Sequence, residues 1–299
     1  MFVATLVASA AIGQGDIADA RDRLHDAGCR PGESRWIDPE VAADLFFDTD
    51  PATARAVLTG LGQGQGLGQG IDVIVQPVAH REKQLIVADM DSTMITVECI
   101  DELADYAGIK AEIAEITERA MQGELDFAAA LRARVALLKD LDEAVIEQCR
   151  TERVRIMPGA RALIRTMRAR GAWAVLVSGG FTRFADPVAA EIGFDTAIAN
   201  VLDIAGGKLT GTVHDPIVDA ARKRFELGAA MARSGIAREA TLAVGDGAND
   251  IPMIEAAGLG VAYHAKEKTR AAADAEIVHG DLRVLLYAQG IGRADWVPD

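Results

Sequence analysis

Four apolar residues, Leu85-Ile86-Val87-Ala88, lead directly into Asp89-Met90-Asp91-Ser92-Thr93. A short apolar run bounded by polar residues fits a strand buried on both faces of a parallel sheet. Such a strand delivers its last residues to the carboxyl edge of the sheet, where open α/β folds place their ligands. Two carboxylates brought to one edge repel each other unless a cation sits between them. Taken alone, these nine residues also fit a strand closing in an acidic turn, because Asp and Ser are common turn formers.

The pattern recurs twice. Residues 173–177 run into Ser178-Gly179-Gly180-Phe181, and residues 241–244 run into Gly245-Asp246-Gly247-Ala248-Asn249-Asp250. Helical patterning falls at 160–170, around 186–191, at 219–234 with Lys223 on board, from 253 to 257, and at 282–289. Residues 260–263 and 276–278 read as edge strands, and 198–212 as a segment turning at Gly206-Gly207. Alternating strands and helices imply a three-layer, doubly wound, mostly parallel α/β core. Between the first strand and Pro158-Gly159 lie four helix-patterned stretches, 97–107, 110–123, 126–138 and 142–150, punctuated by Gly108, Gly123 and Asp140. A helical insertion there would stand over the carboxyl edge as a lid that excludes water on closing.

The first part of the chain reads as strand 2–7, helix 16–27 stopping at Gly28, short strands 36–37 and 42–47, a helix 52–61 opened by Pro51, and strand 71–75. The order β-α-β-β-α-β suggests a ferredoxin-like α+β unit. The alternating glycines from Gly62 to Gly70 match neither GxGxxG nor GxxxxGK[ST], so they read as a low-complexity loop. The expected organisation is an N-terminal domain, 1–76, joined by a polar link to a second domain, 77–299. The second comprises a core, 77–92 and 158–299, and a helical cap, 93–157.

At 299 residues, half hydrophobic and a quarter charged, the chain has ordinary soluble globular composition with room for about two domains. Its net charge of −14 argues against nucleic acid or an anionic membrane as partner. An acidic protein that binds phosphate needs local positive charge or a metal. Cys29, Cys99 and Cys149 form no CxxC, and the histidines show no ligand spacing, so a reduced cytoplasmic protein without a zinc site is expected. Residues 1–12 are apolar and include Ala8-Ser9-Ala10, but no Lys or Arg precedes them, so a first strand is the better reading than a signal peptide. No run of 18 apolar residues occurs, so no transmembrane helix is expected.

Three strand ends therefore carry, in order, Asp89 with Asp91, Ser178 with two glycines, and Asp246 with Asn249 and Asp250, with Lys223 between the second and third. In this combination the sequence resembles the haloacid dehalogenase-like phosphatase superfamily, and within it the phosphoserine phosphatase family. The similar stretches are DMDSTMITVECIDELA from Asp89, LRARVALLKDL from Leu131, VLVSGGF from Val175, GKLTG from Gly207 and AVGDGANDIPM from Ala243, within about residues 84 to 290. The resemblance implies hydrolysis of O-phospho-L-serine to L-serine and phosphate, the last step of serine biosynthesis. Asp89 would be the nucleophile that becomes an aspartyl-phosphate. Asp91 would protonate the leaving oxygen and then activate water.

The resemblance also implies a Mg²⁺ ion held by Asp89, the Asp91 backbone carbonyl and Asp246, with Asp250 orienting Asp246 or Lys223 one step out. Ser178, the Gly179 N–H, Lys223 and Asn249 would hold the phosphoryl group. Lys223 and a divalent cation together offset the acids that a dianionic phosphate must approach. Glu98 would take the substrate ammonium and Arg134 its carboxylate, with Arg132 the competing arginine and Met121 and Phe127 as apolar lid walls. The N-terminal unit is faintly similar to ACT-type regulatory modules, and a homodimer is an assembly open to such a chain. The same motifs would also serve phosphoryl transfer to another acceptor, or hydrolysis of another small phosphomonoester. A sensing protein with a dead catalytic domain is disfavoured because Asp89, Asp91, Lys223 and Asp246 are all present.

Overall fold

The computed structural model describes residues 1–59, 61, 70–121 and 124–298. The expected glycine loop at 62–69 lies outside them. Strands β1 (Phe2–Ala8), β2 (Pro31–Asp38), β3 (Ala42–Phe47) and β4 (Ile71–Pro77) form an antiparallel sheet of order β2-β3-β1-β4. Helices α1 (Gln14–Asp26) and α2 (Pro51–Leu58) join them in the order a split βαβ arrangement requires. Pro51 opens α2, and Asp50 caps it by accepting from the Ala52 and Thr53 N–H groups at 3.1 Å. Ile17, Ala20 and Leu24 of α1 bury against Leu6, Leu45 and Val75 of the sheet. β2 spans eight residues, not the two expected from Trp36-Ile37. It is a largely exposed edge strand, so alternation never marked it.

The second sheet has six strands, all parallel: β5 (Leu85–Ala88), β6 (Trp173–Phe181), β7 (Thr196–Asn200), β10 (Thr241–Gly245), β11 (Leu259–Tyr263) and β12 (Ala275–Ile277). Between β7 and β10 lie β8 (Leu202–Ala205), β9 (Lys208–Val213) and helix α9 (Ala220–Ser234). The order is β12-β11-β10-β5-β6-β7, so β11 is interior rather than the expected edge strand. β5 is buried on both faces. Leu85 and Val87 pack towards Leu227 and Ala230 of α9, while Ile86 and Ala88 pack into the main core on the other side. β6 does not stop before Ser178 but continues through the glycines to Phe181, with a break in register against β7 between Val177 and Phe181.

Four helices are inserted between β5 and α7 (Ala160–Ala169): α3 (Cys99–Ala107), α4 (Lys110–Met121), α5 (Phe127–Leu137) and α6 (Ala144–Arg153). The segments entering and leaving this insertion pair with each other, through an Ile95–Ile156 bridge and a Met157 N–H donated to Met94 O at 2.9 Å. The hairpin β8–β9 turns at Gly206 and Gly207, both with positive φ, as the sequence suggests. It is also tied to the insertion, since Asp140 N–H donates to Leu209 O and Leu209 N–H to Leu141 O, each at 2.9 Å. The remaining helices are α8 (Thr182–Ile192), α10 (Ile251–Ala256), α11 (Glu267–Ala272) and α12 (Val284–Ala288).

A buried arginine joins the two sheets. The Arg81 guanidinium grips Asp44 of β3 at 2.6 and 2.7 Å and donates to Thr5 of β1. Its Nε donates to the Ala288 carbonyl of α12 at 2.8 Å. Asp72 of β4 accepts the N–H groups of Val278, His279 and Gly280 just beyond β12. Among the described residues no helix is long and apolar enough to cross a membrane.

Candidate active site

From β5 the strand order runs outward through β6 and β7 on one side, and through β10, β11 and β12 on the other. The β5/β10 pair is therefore the topological switch point, where an open parallel sheet leaves a crevice at its carboxyl edge. Asp89 follows β5 and Asp246 follows β10, so both enter that crevice. The Asp89 N–H donates to Val244 O at 3.0 Å, which prolongs the sheet pairing by one residue and fixes the side chain's origin.

Lys223 reaches the same point from α9. It is fully buried, at 0% exposure, rather than a solvated helix lysine. Its Nζ lies 2.5 Å from Asp89 Oδ1 and 2.7 Å from Asp250 Oδ1. Asp250 is anchored in turn, accepting the Gly247 N–H at 3.0 Å. Gly245 makes this packing feasible, because a Cβ there would stand 2.5 Å from an Asp250 carboxylate oxygen. Asp246 accepts from the buried Thr93 hydroxyl at 3.2 Å.

The electrostatics are unbalanced. Burial, and next the Asp250 charge, push Asp89 well above the ordinary carboxylate range against the pull of Lys223. Burial and Asp250 likewise raise Asp246 to about 6. Burial alone would lower Lys223, but Asp250 and Asp89 outweigh it and hold the ammonium charged. Carboxylate oxygens of Asp89, Asp246 and Asp250 lie within 4.8 Å of one another. Three hard oxygen donors around a single ammonium fit a divalent cation, which would let all three acids ionise together. The Asp91 carboxylate is not part of this cluster.

Asp91 faces β6 instead. Its Oδ1 is buried without a hydrogen-bond partner, and burial, then the Glu98 charge, raise it to about 7. A Cβ on Gly180 would come within 3.1 Å of Asp91 Oδ2 and 3.0 Å of Ser178 Oγ, so a larger residue would press on both side chains. Ser178 is buried and accepts the Gly180 N–H at 2.8 Å. The sequence reading missed Asn200, which ends β7 at 2% exposure. Its Nδ2 donates to Gly179 O and its Oδ1 accepts from Val218 N–H, both at 2.8 Å, linking the Ser178 loop to the approach of the Lys223 helix. Both partners are backbone groups, and no residue spacing signals such a contact.

The insertion contributes Glu98 at the N-cap of α3, where it accepts from Ser92 Oγ at 2.6 Å. Ser92 has φ +56, a left-handed conformation rare for a residue with a side chain. Arg134 is half-buried on α5 near the charges of Glu98 and Asp101, whereas Arg132 is exposed and paired with Asp215 at 2.5 Å. The Phe127 ring lies over Gly179, 3.0 Å from where a Cβ would be. The Met121 side chain lies outside the described residues. Asn249 is half-buried in the turn after β10, in space that Gly247 leaves open.

Residues 86–255 match the family model of haloacid dehalogenase-like hydrolases. A phosphoserine phosphatase of Streptomyces coelicolor is 45% identical over 233 residues, which cover 78% of this chain and 57% of that protein. The chain thus spans just over half the length of that relative. A haloacid dehalogenase family hydrolase from Salmonella enterica serovar Typhi superposes with a TM-score of 0.82 at 29% identity, over 96% of this chain and 98% of that one. A probable phosphoserine phosphatase from Vibrio cholerae, unliganded, gives 0.75 at 34% identity, over 96% and 87%.

Proposed function

The chain belongs to the haloacid dehalogenase-like hydrolases, and we propose that it hydrolyses O-phospho-L-serine to L-serine and phosphate through a phosphorylated Asp89. The observation that carries this reading is the pairing of a buried Asp89 with Lys223 at the switch point, with the unpartnered Asp91 oxygen two residues on. The substrate itself is supported by the curated phosphoserine phosphatases that the chain resembles.

Asp89 Oδ attacks phosphorus, and the bond from phosphorus to the serine oxygen breaks. Asp91, raised to about 7, can hold the proton that the leaving oxygen takes up. The resulting carboxylate then removes a proton from water, which attacks phosphorus and releases Asp89 and inorganic phosphate. Lys223 balances charge on the transferring group, and Ser178 and the Gly179 N–H orient its oxygens. Mg²⁺ bound by Asp89, Asp246 and the Asp91 carbonyl would supply Lewis-acid polarisation of the phosphoryl group. Asp250 holds Lys223 in place.

In this reading residues 93–157 are a cap over a core of 77–92 and 158–299. Within the cap Glu98 accepts the substrate ammonium, Arg134 binds the carboxylate bidentately, and Phe127 closes the apolar wall over Gly179. Arg132 is assigned no substrate contact because Asp215 already neutralises it. Asn249 contributes a polar contact to the phosphoryl pocket. Residues 1–76 form a separate ferredoxin-like unit of the ACT type.

The test is phosphate release from L-phosphoserine with Mg²⁺, beside EDTA, phosphothreonine, phosphotyrosine and sugar phosphates. Metal-dependent release favouring L-phosphoserine supports the reading. Preference for another ester overturns the Glu98 and Arg134 assignments, and a new phosphorylated product instead of free phosphate overturns hydrolysis.

A further inference from the structure

Asn200 is a buried polar side chain that no step of the proposed reaction uses. It ends β7, and both polar atoms of its amide are engaged by backbone groups of other segments. A buried asparagine satisfied in this way can serve anywhere in a core. The two segments it holds are what set this one apart.

The first is the Ser178 loop. Val177 pairs with Ile198 and Phe181 with Asn200, so Ser178, Gly179 and Gly180 stand opposite the single residue Ala199. A bulge bends its strand and re-aims the groups within it. The Gly179 carbonyl, at the middle of the bulge, accepts from Asn200 Nδ2 at 2.8 Å. The same rigid peptide plane carries the Gly180 N–H, which donates to Ser178 Oγ at 2.8 Å. A hold on the carbonyl therefore also orients the Ser178 hydroxyl.

The second is the entry to α9. Asn200 Oδ1 accepts from the Val218 N–H at 2.8 Å. The next residue, Asp219, caps the helix: its side chain accepts from the Arg222 N–H at 2.8 Å, and its carbonyl from the Lys223 N–H at 2.9 Å. Asn200 thus grips the base of the turn from which Lys223 reaches Asp89. The two held segments also pack on each other, since a Cβ on Gly179 would stand 3.7 Å from Val218 O.

We propose that Asn200 is a positioning residue for phosphoryl transfer: its amide fixes the spacing between the Ser178–Gly179 donors and Lys223, so that one frame presents all of them to the same phosphoryl group. The inference rests on the phosphatase reading of the site. Donors set in advance stabilise a transition state without reorganising, and misplacement by about 1 Å can cost on the order of 100-fold in rate. Truncating the side chain opens a polar gap that water can enter. Water would satisfy the two backbone groups without fixing the distance between them.

The test uses the full chain with Asn200→Ala and, as a variant that keeps a hydroxyl in the gap, Asn200→Ser. Far-UV circular dichroism sets a temperature at which each is folded. At that temperature kcat, KM for L-phosphoserine and the Mg²⁺ concentration for half-maximal activity are measured. The rise in thermal midpoint with orthovanadate in Mg²⁺ reads the phosphoryl pocket without turnover, because vanadate can adopt the five-coordinate geometry of a transferring phosphoryl group. The expected result is a kcat at least thirtyfold lower in both variants. KM should change less than threefold, because Glu98 and Arg134 hold the rest of the substrate, and so should the Mg²⁺ requirement. The orthovanadate concentration for half the midpoint shift should rise at least tenfold. A kcat within threefold of wild type, or an unchanged orthovanadate response, would overturn the proposal. Failure of both variants to fold, or a Mg²⁺ requirement that worsens as much as kcat, would mark Asn200 as a structural joint and overturn it equally. A wild-type chain that releases no phosphate from L-phosphoserine, yet loses its orthovanadate response in the variants alone, overturns the functional reading and leaves the positioning role standing. A wild type that responds to neither overturns both.

Discussion

Lys223 Nζ stands 2.5 Å from Asp89 Oδ1, with Lys223 fully buried and Asp89 nearly so. The ammonium is shared with Asp250 at 2.7 Å, so among the described residues it is the cation fixed within a cluster of three acids. The arrangement stores negative charge that a divalent cation and a transferring phosphoryl group would divide between them.

Lys223→Met should therefore harm both stability and activity. Removing one partner of a buried ion pair typically costs about 3–5 kcal/mol because the other charge is left uncompensated. The thermal midpoint of the variant is expected to fall further in EDTA than in Mg²⁺, since the cation can take over part of the compensation. Equal losses in both buffers would show that no metal shares the cluster.

Gly180→Ala should impair catalysis more than folding. The new methyl would sit 3.0 Å from Ser178 Oγ and 3.1 Å from both Asp91 Oδ2 and Met90 Cε. Overpacking of this kind costs about 1–3 kcal/mol, but here it displaces the proposed acid and a phosphoryl ligand together. A kcat reduced tenfold or more with KM changed less is expected, and wild-type kinetics would argue that Asp91 is not held where the reaction needs it.

Lys83 gives a pH dependence remote from the acidic cluster. It is 4% exposed and donates to Glu239 O at 3.0 Å, and burial lowers it to about 8 from an ordinary value near 10.5. Between those values the unfolded chain binds more protons than the folded one, so stability rises with pH across that window and the full cost is felt below about pH 8. Chemical denaturation of wild type and Lys83→Met at pH 7.5 and pH 10 checks this. The advantage of the methionine variant should shrink at the higher pH, and a constant difference would refute the assignment.

Arg81→Met should loosen the joint between the sheets. It leaves the fully buried Asp44 with only Thr5 and the exposed Arg35 as partners. A loss of about 3–5 kcal/mol is expected, along with faster amide exchange at Val278, His279 and Gly280, whose N–H groups Asp72 holds across the same joint. Unchanged exchange there would mean that Asp72 alone secures the contact.

The strand ends were legible because buried parallel strands leave an unusual trace, a few apolar residues broken abruptly by groups that only a site requires. That trace marked Asp89, Ser178 and Asp246, and it reads the same in the folded protein. It failed for β7, whose residues 196–199 are only half-buried, and for the exposed edge strand β2. The short α11 likewise carries too few residues for a helical period to show. The glycines after Ser178 read as strand terminators, yet β6 runs through them because Asn200 holds the Gly179 carbonyl from the neighbouring strand. Such contacts are created by the fold, not by residue spacing. The Arg132–Asp215 pair is similar, because it joins residues distant in sequence that no spacing links.

The most direct measurement is acid-quenched labelling with L-phosphoserine carrying ³²P, followed by peptide mapping. The expected result is transient label, released by hydroxylamine as an acyl phosphate should be, on the peptide containing Asp89 and absent from Asp89→Asn, whose turnover falls at least about 10³-fold. Steady release of phosphate with no label at Asp89, or an Asp89→Asn variant turning over at the wild-type rate, would contradict nucleophilic catalysis by this residue.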